Sequence, residues 1–200
     1  MSDATGNTKA PVGGAFLIED RQAADILIPE AFDDEIKLFA QTAKTFVERE
    51  IRPDLDALEA LDYELSRQKM QKAGELGLLA IEVAEDHDGL GMGKAASAVV
   101  TDAIAASGSF NVTFSAHTGI GTLPLVYFGT DAQKEKYLPK LATGEWVAAY
   151  ALSEPESGSD SLSAKTRAVL DGDEWVLNGN KMWISNAGFA DLFTVFAQVD

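Results

Sequence analysis

From Phe32 to Leu141 the apolar residues recur at helical spacing, and after Gly144 they fall into short segments that alternate residue by residue. This one-way handover from a period near 3.6 to a period of 2 sets the architecture. It predicts an α+β multidomain chain: an N-terminal all-α helical domain followed by the start of a β-barrel or sandwich domain. The expected divisions are a flexible leader over 1–28, a helical domain over 29–145 and an unfinished β domain over 146–200.

The first helix carries Phe32, Ile36, Phe39, Ala43, Phe46, Val47 and Ile51 on one stripe. Asp33, Asp34 and Glu35 suit its positive N-terminal end, Arg49 and Arg52 its other end, and Pro53 is expected to stop it. A second helix is expected over Glu64–Leu76, with Gly77 as a left-handed terminator. Glu85–Gly93 is too charged and glycine-rich for an element interior and is expected as a loop. Lys94–Ser107, rich in Ala and Val, suits a helix closely packed by its neighbours. Phe110–Phe128 is helical in pattern with a break at Gly119, Gly121 and Pro124, and Gly129 closes it. Thr130-Asp131-Ala132-Gln133 is a capping-box sequence that opens a helix to about Leu141.

In the β region, Asp171-Gly172 and Asn178-Gly179 are expected to turn tight hairpins, because those dipeptides tolerate positive φ. Phe193, Val195, Ala197 and Val199 are expected to alternate along one last strand. That strand has no visible cover for its edge, so more of the molecule is expected beyond the 200 residues given.

Charge excludes one class of partner. Sixteen Lys and Arg against 32 Asp and Glu give a formal charge of −16, a field that repels nucleic-acid phosphates. There is no cysteine, which removes disulfides and thiolate chemistry and fits a reducing, cytoplasmic setting. Residues 1–14 lack the pattern of a secretory signal, and no apolar run approaches the roughly 20 residues that span a bilayer. His87 and His117 lie in different segments, so no metal site is expected; His117, in an apolar helix, reads as a hydrogen-bonded core or pocket-lining residue.

Two segments stand out. Tyr150–Asp160, YALSEPESGSD, runs from a strand into a turn whose N–H groups and hydroxyls can form a polar rim. Taken alone it reads first as an acidic surface loop; in the rim reading Glu154, Glu156 and Asp160 are structural caps or solvated charges. Lys181–Asn186, KMWISN, is either a strand with a core Trp or an aromatic wall for a planar cofactor, with Ser185 offering a donor to its edge.

Together, and in this order, YALSEPESGSD and NGNKMWISNAGFADLFTVFA resemble the two signature segments of the acyl-CoA dehydrogenase family. GIGTLPLVYFGTDAQKEKYLPKLATGE resembles that family's last N-terminal helices, and DHDGLGMG an atypical version of an early loop. ISNAGFADLFTVFA is similar to the very-long-chain branch, members of which make peripheral membrane contact. The resemblance runs from about residue 30 to the end of the sequence.

The resemblance implies a cofactor, FAD, and a reaction, the α,β-dehydrogenation of fatty acyl-CoA thioesters in β-oxidation. Tyr150, Leu152 and Ser153 would lie along the flavin, and Gly158 would let the chain pass close to it. Ser159 would sit where the flavin meets the substrate's CoA arm, and Trp183, Ile184 and Ser185 would pack and bond the flavin from the other segment. Ser153 stands where many relatives have Thr, and Glu156 replaces a usually small residue. Lys165 and Arg167 could meet CoA phosphates or form a solvated strand face. The family's base is a Glu of a C-terminal helical domain that these residues do not include, so no catalytic residue is assigned here. Electron-transfer flavoprotein is the acceptor the resemblance implies, and a homo-oligomer the expected assembly. Two alternatives stay open: an acyl-CoA oxidase on the same scaffold, or a truncated, non-catalytic interaction module.

Overall fold

The computed structural model describes residues 14–22, 26 and 28–199. The leader expected over 1–28 therefore falls mainly outside the described residues. Two compact units are distinguished, 1–37 and 38–200. In the first, short 3-10 turns at Ala15–Leu17 and Pro29–Ala31 precede the start of helix α1, Asp34–Phe46. Asp33 caps that helix, its Oδ1 accepting from the Ile36 N–H at 2.8 Å, which satisfies a donor the helix itself cannot.

The second unit holds the remaining helices: α2 (Leu55–Glu59), α3 (Tyr63–Glu75), α4 (Gly93–Ile104), α5 (Ser109–Ser115), α6 (Leu123–Phe128) and α7 (Asp131–Ala142). The expected stripe is buried at Ala43, Phe46, Val47 and Ile51. Pro53 does not stop the helical course. The chain widens into a π turn over Val47–Ile51, tightens to 3-10 over Arg52–Asp54, and continues into α2. Proline sits at the start of that 3-10 turn, where its missing N–H would have had no partner. Gly77 ends α3 as expected, at φ +73°. Around these helices the core centres on Phe110, Phe114, Ile51, Met70, Leu78 and Ile104, with the Phe46 and Phe110 rings 5.9 Å apart.

The break expected within 110–128 is a π segment, Ala116–Gly121, between α5 and α6. Gly121 lets that segment press on the first strand: a Cβ there would lie 2.7 Å from the Ala148 Cβ. The capping box of α7 is complete, with Thr130 and Gln133 each bonding the other's backbone N–H.

Strands follow, as expected: β1 (Ala148–Ala151), β2 (Arg167–Asp171), β3 (Glu174–Asn178), β4 (Leu192–Val195) and β5 (Gln198–Val199). Strand β1 pairs in parallel with β4, Tyr150 opposite Thr194. β2 and β3 form a hairpin in the register Asp171↔Glu174, turned at Gly172 with φ +62°, as its sequence requires. Asn178-Gly179 makes no hairpin. Among the described residues strand β3 has no partner after it in sequence; Gly179 instead lies against Thr166, where a Cβ would come within 2.2 Å of the hydroxyl. Nor is 193–199 one strand. It divides at Phe196-Ala197 between two sheets, β4 joining β1 and β5 joining β2. Phe193 and Val195 are exposed while Leu192 and Thr194 are half-buried, so the alternation was legible and its direction was not.

Candidate functional site

The two standout segments meet after the β1 strand has delivered Leu152–Glu154 to the same place as Lys181–Met182. The Met182 N–H donates to the Ser153 carbonyl at 3.0 Å. The Lys181 ammonium donates to the Leu152 carbonyl at 2.9 Å and to Glu154 Oε1 at 2.8 Å. Glu154, 7% exposed, also accepts from the Thr166 N–H at 2.9 Å and from the Lys165 N–H. Of the two alternatives for this acidic residue, cap or solvated charge, the geometry is that of a cap. The Lys181 ammonium first, and the backbone donors with it, hold the Glu154 carboxyl down to about 2, as charge-assisted bonds to the ionised form do. Glu154 and Ser157 also close the turn by exchanging backbone bonds of 2.9 and 3.1 Å. Ser157 is buried, its hydroxyl donating to the Asp160 carbonyl at 2.8 Å.

From this knot the chain runs into a strained stretch. Trp183 has φ +58° and Asn186 φ +68°, left-handed values uncommon away from glycine and found preferentially at ligand clamps and active sites. Asn186 is the residue that sequence reasoning passed over. Its Nδ2 donates to the Thr113 carbonyl at 3.0 Å and to the Ala148 carbonyl at 3.1 Å, fastening the segment to α5 and β1 at once. Asn tolerates the left-handed region better than other non-glycine residues, and that was the one signal available. The Asn186 Oδ1 is buried with no hydrogen-bond partner.

A second anchor lies at the segment's far end. Asp191 pairs with Arg67 of α3 at 2.8 Å and accepts from the Val147 N–H at 2.9 Å. Burial alone would raise the Asp191 carboxyl, but the Arg67 guanidinium and the Val147 N–H bring it below its ordinary value. His117 ties the π segment to the strand behind the site. It is fully buried, with Nε2 3.0 Å from the Leu141 carbonyl and Nδ1 accepting from the Ala148 N–H at 3.0 Å. Desolvation holds its pKa down to about 4 against the Leu141 carbonyl's opposite pull, so the ring is neutral with its proton on Nε2.

The expected contact residues can now be placed. Tyr150 lies half-buried on β1, its ring 5.0 Å from that of Phe196. Leu152 and Ser153 are half-buried at the knot. Gly158 and Ser159 lie exposed on the turn, and a Cβ on Gly158 would meet nothing. Trp183 is neither in a strand nor in the core, correcting one of the two sequence alternatives: it sits in a bend with 85% of its surface exposed. Ile184 and Ser185 line a cavity of about 340 Å³ together with Leu58, Leu61, Tyr63, Phe110 and Thr113. The structure thus joins Leu152 and Ser153 to the 181–186 segment, while Gly158 and Ser159 stand apart on the turn. Lys165 pairs with Glu156 on the exposed rim. An exposed indole, two hydroxyls and an orphaned amide oxygen along two mutually fixed segments suit a planar group with a polar edge.

Among the described residues no group of three or more His, Asp or Glu is placed to hold a metal ion, and no helix is long and apolar enough to cross a membrane.

The profile of the acyl-CoA dehydrogenase N-terminal domain matches residues 33–145, and that of the acyl-CoA dehydrogenase middle domain matches 149–200. The chain belongs to the acyl-CoA dehydrogenase family. It is 50% identical over 190 residues to a probable acyl-CoA dehydrogenase of Bacillus subtilis, a match covering 94% of this chain and 32% of that protein. To the human mitochondrial very long-chain specific acyl-CoA dehydrogenase it is 44% identical over 146 residues, 72% of this chain and 22% of that one. A Bacillus anthracis acyl-CoA dehydrogenase, solved as a complex with FAD, superposes with a TM-score of 0.90 at 46% identity, covering 94% of this chain and 32% of that one. The chain thus spans between about a fifth and just under half of the length of the relatives it matches.

Proposed function

We propose that this chain supplies part of the FAD and acyl-CoA site of an enzyme that dehydrogenates fatty acyl-CoA thioesters between Cα and Cβ. The observation that carries this reading is the interlock of Leu152–Glu154 with Lys181–Met182. It brings the two signature segments of the family into one rigid frame, with the strained Trp183 and Asn186 beside it. Such a frame supplies the fixed alignment that a redox cofactor needs from its protein.

In this reading Ser153 and Ser185 offer hydroxyls to the polar edge of the flavin, while Tyr150, Leu152, Trp183 and Ile184 pack against its rings. Gly158 passes close to it, and Ser159 reaches the CoA arm. FAD, when bound, is the electron sink. The chain's own share is to hold it in place, keep water from it and orient the thioester. The α-proton of a thioester is too weakly acidic for a carboxylate unless donors polarise the carbonyl, and the base itself is expected outside these residues. In this reading FAD lies at the joint between helices and strands, where Asn186 fastens the second segment to Thr113 of α5. A homo-oligomer and an electron-transfer flavoprotein as acceptor complete the reading, with long acyl chains as the substrate class on the likeness to the very-long-chain branch.

The test uses protein made from its complete reading frame. It is expected to purify with a flavin absorbance that bleaches anaerobically when a long-chain acyl-CoA is added. A preparation that takes up no FAD would overturn the assignment, and steady peroxide formation without an electron-accepting partner would replace dehydrogenase with oxidase.

A further inference from the structure

We propose that Lys181 is a positioning residue for the cofactor frame: its ammonium fixes the peptide plane between Leu152 and Ser153 and so aims Ser153 at the flavin. The inference rests on the FAD reading above, and goes beyond it by assigning a role to a residue that touches no ligand in that reading.

Two consecutive residues, Lys181 and Met182, hold three consecutive ones. The ammonium takes the Leu152 carbonyl at 2.9 Å and Glu154 Oε1 at 2.8 Å, and the Met182 N–H takes the Ser153 carbonyl between them at 3.0 Å. A trans peptide is planar, with C=O and the following N–H pointing opposite ways. With the Leu152 carbonyl held on Lys181, the Ser153 N–H is turned away from Lys181. Fixing the Ser153 carbonyl in the same way leaves Ser153 little backbone freedom on either side.

The cation reaches this position through a side chain that is 13% exposed, opposite a Glu154 side chain that is 5% exposed. Exposed ion pairs contribute little, but a desolvated pair that also bonds a backbone carbonyl is geometrically specific. Glu154 extends the grip to a third piece of chain through the Lys165 and Thr166 N–H groups. Removing the ammonium would release the Leu152 carbonyl and leave a buried carboxylate without its cation, a few residues from the bound flavin. A buried anion near the flavin disfavours adding electrons to it, so the potential is a readout that loss of packing alone would not move.

The experiment compares wild type, Lys181→Met and Lys181→Arg, all made from the complete reading frame, stripped of flavin and titrated with FAD. Lys181→Met is expected to raise the FAD dissociation constant about tenfold or more, the effect of losing hydrogen bonds to a charged group. It is also expected to shift the visible flavin spectrum and make the midpoint potential more negative. Lys181→Arg keeps the charge but changes the reach, and should fall between the two. A Lys181→Met variant that only melts earlier, with FAD affinity, spectrum and potential within twofold or experimental error of wild type, sinks the inference and leaves the FAD reading standing. If Lys181→Met does not fold, Lys181→Arg decides: wild-type affinity and spectrum there also overturn the proposal. Wild-type protein that binds no FAD overturns the reading itself, and this inference with it.

Discussion

Asn186 and His117 carry more of the site's geometry than their chemistry suggests, because each bonds backbone groups from two separate elements. Asn186→Ala removes both bonds to the Thr113 and Ala148 carbonyls and places a Cβ residue without a compensating side chain at φ +68°. It is expected to cost about 2–4 kcal/mol of unfolding free energy in a urea titration. Asn186→Gly relieves the backbone strain and should recover only part of that loss. His117 predicts a pH dependence. Its folded-state pKa of about 4 lies below the ordinary 6.5, so the unfolded chain binds the proton more readily. The stability it supports is fully present above pH 6.5 and is lost as pH falls from 6.5 through 4, by about 3 kcal/mol in all. Urea midpoints taken across that window should fall in the wild type and fall less in His117→Gln; equal slopes would remove His117 as the cause. Glu154, held down to about 2 by Lys181 and the backbone donors, acts lower still, its share present above the ordinary value of 4.5 and lost toward pH 2.

Helix ends and crossings set the next level. Thr130→Ala breaks the capping box of α7 and should cost about 1 kcal/mol, without altering the structure elsewhere. Gly74 is different in kind. It lies where α3 meets the end of α7, and an added Cβ would come within 2.0 Å of the Thr143 carbonyl oxygen. Backbone cannot yield as a side-chain tip can, so Gly74→Ala is expected to cost about 3 kcal/mol or more. Thermal melts that place Thr130→Ala below Gly74→Ala in cost check both; the reverse order would show that the crossing can relax. These element-level features differ in legibility. The capping box and the Gly172 hairpin were readable because each is satisfied within four residues. Nothing local marks Gly74, whose demand comes from a residue 69 positions away.

At the scale of the whole molecule, the hairpin sheet leaves an apolar face uncovered among the described residues. Pairing Ala168 with Leu177 and Leu170 with Trp175 puts these four side chains on one face, and Leu170, Trp175 and Leu177 are each more than half exposed. An apolar face of this size is a liability unless something packs on it, and the chain spans only 32% of the Bacillus subtilis relative it matches. The 200 residues produced alone are therefore expected to bind a hydrophobic dye such as ANS and to self-associate. Leu170→Lys with Leu177→Glu should reduce dye binding markedly while leaving the far-UV circular dichroism of the helices unchanged. Dye binding unaffected by the pair would place the exposed surface elsewhere.

Sequence by itself determined the succession of helices and then strands, the capping box of α7, the Gly77 terminator and the family, because periodicity, capping and turn chemistry act over a few residues and survive in isolation. It read Pro53 as an end and Asn178-Gly179 as a hairpin, since each has that meaning in the commonest local setting. Tertiary structure decided which setting applied: proline opened a 3-10 turn, and Gly179 made room for Thr166. It alone paired β1 with β4 across the whole hairpin excursion. It also brought Lys181 to Leu152 and Glu154, Asn186 to Thr113, and Arg67 to Asp191. Those partners lie 27 to 124 residues apart, and a charge or amide with many possible partners acquires one only when the packed core has fixed where each backbone segment runs.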